Sequence, residues 1–135
     1  MASPMLDSEK KMIDTADLLR QSADDMATRR MKALKAGEIG VVEFRNNVVR
    51  ENFLRNQTSE ILLKAIDSVI GGIQGDQADL EKAIKQANET IKKIQAIKKA
   101  LDVFAALIGL AESIALGKPQ GIVDAFIVVK EMTQA

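Results

Sequence analysis

The sequence has no cysteine, histidine, tryptophan or tyrosine, and its four phenylalanines are its only aromatic residues. Each absence removes a class of chemistry. Without cysteine there is no thiolate nucleophile, disulfide or thiolate metal ligand, and nothing marks the redox compartment. Without histidine the usual acid–base residue is gone, so neither a zinc set nor the carboxylate–histidine spacing of a di-iron bundle can be built. Ser22, Ser59, Ser68 and Ser113 have no histidine to activate them, and no strand–turn–helix pattern places them on a nucleophile elbow. An excess of one charge is missing too. Nineteen basic side chains balance 19 acidic ones, so the broad positive field needed for non-specific nucleic-acid binding is absent. The N-terminus shows no basic region followed by an apolar run, and no signal peptide is expected. The default location is cytoplasmic, with non-Sec secretion left open.

Alanine, isoleucine, leucine, lysine and glutamate abound, and proline occurs only twice in 135 residues. Strong helix formers without turn residues imply long helices rather than a sheet. The expected fold is all-α: one domain over residues 1–135, an antiparallel bundle of three long helices with a short C-terminal fourth helix folded back on the third. The first helix is expected at about 4–36, with Ser3 as N-cap and Pro4 in the first turn. Its stripe is Met12, Ala16, Leu19, Ala23 and Met26, continued after a slip by Met31 and Leu34, and it stops at Gly37. The second helix, about 41–70, has Gly40 as N-cap, Glu43 at the positive helix end, and Ile39 with Phe44 as a hydrophobic staple. Its later stripe is Leu54, Ile61, Leu62, Ala65, Ile66 and Val69. Its first half is odd, because Val48, Val49, Phe53 and Leu54 alternate with Asn46, Asn47, Asn52, Asn56 and Gln57. Some of those amides are expected at the stripe's edge or in the core.

Asp76 caps a third helix expected at about 77–116, near 60 Å long, with room for a kink at Gly109. Its stripe runs from Leu80 through Ile84, Ala87, Ile91, Ile94, Ile97, Leu101, Phe104 and Ile108 to Ala111 and Ala115. After Gly117 a fourth helix spans about 119–133. Residues near Leu6, Ile70 and Leu80 fall at an end that three helices cover thinly, which a second copy would bury.

Candidate sites are few. Asp14 with Asp17 and Asp24 with Asp25 are paired carboxylates, expected to be solvated. The Gly71-Gly72-Ile73-Gln74-Gly75 segment follows a helix rather than a strand and lacks a Gly-Lys-Ser/Thr ending, so it reads as a loop, not an anion cradle. Two basic sets are candidate surfaces for an acidic partner or an anionic membrane: Arg29, Arg30, Lys32 and Lys35, and then Lys85, Lys92 and Lys99, seven apart on one face. Acids one turn earlier, as in Asp25→Arg29, Glu81→Lys85 and Glu89→Lys93, would make these ordinary solvated faces. Residues 101–129 form an apolar hairpin carrying Leu101, Phe104, Ile108, Ile122 and Phe126, too interrupted by charge for a resting membrane span. Met5, Met12, Met26 and Met31 would repack readily against a partner. No cofactor, metal or catalytic residue is expected. The expected function is a non-enzymatic helical protein–protein interaction module, with self-association open. The alternative is a membrane-active protein using residues 101–129.

Overall fold

The computed structural model describes residues 4–67, 69–71 and 73–133, and among these it holds five helices and no strand. Ser3, Ser68 and Gly72 lie outside the described residues. The helices are α1 Glu9–Lys35, α2 Val41–Asp67, α3 Gln77–Lys93, α4 Ile97–Leu116 and α5 Pro119–Thr133. The class is all-helical, as expected; the count is five rather than four.

Helix α1 begins later than residue 4. Ser8 is extended, and its Oγ accepts from the Lys11 amide at 3.2 Å. The residues before it leave the helical path because Met5 and Leu6 are drawn fully into the core. Leu6 takes a φ of +58°, costly for a side chain with a Cβ. Its amide is caught by the buried Gln77, whose Oε1 accepts at 3.1 Å, while Gln77 Nε2 donates to Thr15 Oγ1 at 2.9 Å. Met5 and Leu6 join Ile70, Ile73 and Leu80 in the core. The end expected to lie thinly covered is thus sealed by the chain's own N-terminal segment. Gly75 makes room for it: a Cβ there would sit 2.7 Å from Met5 Cε.

Met12, Ala16, Leu19, Ala23 and Met26 are all buried, but the stripe continues through Arg29 and Ala33. Met31 is exposed and Leu34 only half-buried, so no slip in the helix occurs. The helix closes with the amide of Glu38 on Ala33 O at 2.8 Å and that of Gly37 on Leu34 O at 3.1 Å. This is a Schellman closure, and it needs the left-handed φ of +73° that Gly37 supplies.

Cross-helix bonds fix the directions. Arg30 pairs with Glu51, Asp24 with Arg55, and Arg20 with Thr58; numbers fall on α1 as they rise on α2, so the two are antiparallel. Thr15 meets Gln77, Ser22 meets Asn88 and Arg29 meets Gln95, so α1 and α3 are parallel. Helix α4 packs on α2, α3 and α5, and α5 packs on α3 and α4.

The forty-residue third helix is not continuous. It breaks at residues 94–96, not at Gly109, and without proline or glycine. Ile94 and Ala96 are extended. The cause lies on α1: Arg29, 4 % exposed, donates to Gln95 O at 3.0 Å and Ile94 O at 3.5 Å while holding Glu38 through both its terminal nitrogens. Carbonyls that a continuous helix would use internally are turned onto a buried cation. The apolar face then resumes one position out of step, through Ala100, Val103, Phe104, Leu107, Leu110, Ala111 and Ile114.

Candidate interaction surfaces

The basic residues singled out in the sequence part company in three dimensions. Arg29 is buried in the clamp just described. Arg30 is mostly covered, with Nε and Nη2 on the two carboxylate oxygens of Glu51 at 2.8 and 3.1 Å and its guanidinium 4.4 Å from the Phe44 ring centroid. Both arginines therefore hold elements together rather than face solvent. Lys32 and Lys35 are exposed and, among the described residues, make no ion pair. The break between α3 and α4 takes Lys99 off the line of Lys85 and Lys92. Lys92 and Lys93 both hold Glu89, at 2.7 and 2.9 Å, and their hydrogen bonds push the Glu89 carboxyl down to about 2. Lys92 is itself raised, first by its hydrogen bond to Glu89 and then by the charge of Asp25.

The paired carboxylates are ordinary with one exception. Asp14 pairs with Lys10 and Asp24 with Arg55. Asp25, by contrast, is buried on α1: Oδ1 accepts from Gln21 Nε2 at 2.9 Å, and Oδ2 is the one buried side-chain polar atom without a hydrogen-bond partner among the described residues. It does not pair with Arg29, which is committed to Glu38. No group of three or more carboxylates among the described residues is placed to hold a metal.

The apolar hairpin is mainly core. Phe104, Ile122 and Phe126 are buried, and Leu101 and Ile108 half-buried against the same cluster. No described helix is long and apolar enough to cross a membrane. Of the four methionines proposed as adaptable contacts, Met5, Met12 and Met26 are fully buried and only Met31 is exposed. One open groove of about 370 Å³ between α3 and α5 is lined by Asp79, Lys82, Ala83, Gln86, Lys130 and Thr133.

The surface that departs most from expectation is on α2. Its inward face carries Asn47, Glu51 and Thr58 among Leu54, Ile61 and Ala65. Glu51 and Thr58 face inward because α1 offers polar partners: Glu51 takes Arg30, and Thr58 Oγ1 accepts from Arg20 Nη2 at 3.2 Å while donating to Arg55 O at 2.7 Å. Its outward face carries Val42, Val49, Phe53, Leu63 and Ile66, which are 39–72 % exposed. Ile66 and Val69, assigned to the buried stripe from sequence, point outward instead. The signal for this was the alternation of valine and phenylalanine with asparagine. Of those asparagines only Asn47 turns inward; Asn46, Asn52 and Asn56 share the outward side with the apolar row, and the buried Glu51 and Thr58 lie outside the alternation.

No family model, curated protein or solved structure matches the chain.

Proposed function

We propose that the chain is a non-enzymatic helical protein–protein interaction module that docks through the outward face of α2. One observation carries the reading, the inversion of polarity on that helix. Five large apolar side chains face water while Asn47, Glu51 and Thr58 are buried. Single exposed apolar residues need no explanation, but a row of them on one helix, opposite a buried face that mixes Asn47, Glu51 and Thr58 with Leu54, Ile61 and Ala65, costs hydration without stabilising the monomer. A partner that covers the row removes that cost. Helix-in-groove and helix–helix recognition use anchors at this spacing.

The test is a variant with Val42, Val49, Phe53, Leu63 and Ile66 all changed to glutamine. Because none of the five belongs to the buried core, although Phe53 is partly covered, its thermal unfolding should stay close to that of the parent chain. Pull-downs from source cells with the parent and variant chains are then compared. A partner held by the first and lost by the second supports the reading; identical profiles would refute it.

A further inference from the structure

We infer that the occupant of the outward α2 face is a second copy of this chain, laid antiparallel about a twofold axis near Asn52 and Phe53. The inference rests on the interaction-module reading and names its partner. Residues 42, 49, 56 and 63 form a heptad line on α2, flanked by exposed Arg45, Asn46, Asn52, Phe53, Ser59, Glu60 and Ile66. The two ends of this line match in chemistry when it is reversed about its midpoint; its centre does not. Turned end for end, Val42 lies opposite Leu63 of the other copy, Asn46 opposite Ser59 and Arg45 opposite Glu60. At the ends apolar lies opposite apolar and cation opposite anion, while at the centre Val49 lies opposite Asn56 and Phe53 opposite Asn52.

Charge decides the orientation. Arg45 and Glu60 are both exposed and, among the described residues, belong to no ion pair. Parallel pairing in register would set Arg45 against Arg45 and Glu60 against Glu60, a double repulsion. Antiparallel pairing neutralises all four charges, and the contact is isologous and closed, as a twofold requires. The face also explains why the pair is weak. Helix α2, with 27 residues, is about 40 Å long and about 10 Å wide, so it offers about 400 Å² per copy, below the size of stable specific interfaces and in the range of weak, transient ones. A dissociation constant of about 10–100 μM is expected.

The absence of cysteine makes the test direct. Sedimentation equilibrium of the parent chain from about 5 μM to 1 mM should show a monomer–dimer transition. Arg45→Glu should weaken it at least tenfold, and adding Glu60→Arg in the same chain should restore it. Under mild oxidation Asn52→Cys should cross-link to itself. Val42→Cys alone should not, because its own copy lies about 30 Å away along the axis, yet it should cross-link when mixed with Leu63→Cys. Self-cross-linking of Val42→Cys would overturn the antiparallel arrangement, as would a charge reversal without effect. A strict monomer at 1 mM would overturn self-association alone, because the pull-down comparison still decides whether the face takes a different protein.

Discussion

Replacing Arg29 by methionine is the sharpest probe of how the bundle turns from α3 into α4. Methionine keeps most of the apolar stem and removes the guanidinium. Three acceptors then lose their donor: the carboxylate of Glu38, Gln95 O and Ile94 O. Breaking a fully buried ion pair by removing one partner costs about 3–5 kcal/mol. Glu38 is 29 % exposed and recovers part of its hydration, which lowers the expected loss to about 2–3 kcal/mol. For 135 residues the unfolding entropy is about 0.28 kcal/mol/K, so the midpoint should fall by about 9 °C. The chain has neither tryptophan nor tyrosine, so the assay is circular dichroism at 222 nm with heat or urea. Hydrogen exchange localises the effect, and amides 95–99 should lose protection first. Arg29→Lys keeps the charge without the fork and should recover less than half of the loss. If Arg29→Met lies within about 0.5 kcal/mol of the parent, a value typical of neutral surface changes, the clamp does not set the break.

Ser22→Ala strips the partner from Asn88 Oδ1 in the buried Ser22–Asn88 pair and should cost about 1–2 kcal/mol in urea unfolding; in the presence of Asn88→Leu the same change should cost much less, since the orphan acceptor is gone. Gly75→Ala combines a φ of +148° with a Cβ driven into Met5, and a loss of about 1–3 kcal/mol is expected by the same measurement. Carbon-13 NMR of the Glu89 carboxyl should give a midpoint of about 2. A depressed carboxyl favours the fold above its ordinary range and loses that contribution as pH falls towards 2, so Lys92→Met should move the midpoint up. Anionic liposomes should stay sealed at neutral pH, because Phe104, Ile122 and Phe126 are committed to the core; leakage that Ile108→Asp abolishes in a folded variant would contradict this.

Local signals were read well where a single residue type has one job. Asp76 caps α3, with its Oδ1 on the Ala78 amide at 2.7 Å. Gly37 and Gly117 close α1 and α4 in the left-handed region, and Pro119 opens α5. The stripe from Met12 to Met26 needed only its period. The α3–α4 break was invisible for a physical reason. Ile91, Ile94, Ile97, Leu101 and Phe104 keep a helical rhythm straight through it, and no residue at 94–96 disfavours a helix. What ends α3 is a guanidinium from a residue more than sixty positions away, and pattern reading along the chain cannot carry such a contact. The same limit made Arg29 look like a surface cation.

The α2 face was half legible, and the missing half explains the proposed function. A helix with one apolar stripe announces its buried side, because burying about five large side chains outweighs the burial of their polar neighbours. On α2 that rule fails. Arg20 and Arg30 reach across from α1, so Thr58 and Glu51 can be buried with their partners, and over those turns the inward face needs only Leu54 as an apolar contact. Val42, Val49 and Phe53 remain as apolar residues without an inward role, on a helix whose fold-stabilising contacts are met elsewhere. Such residues either drift to polar types without cost or are kept by a second requirement. Substituting them with glutamine separates the two cases, since stability should not change and association should.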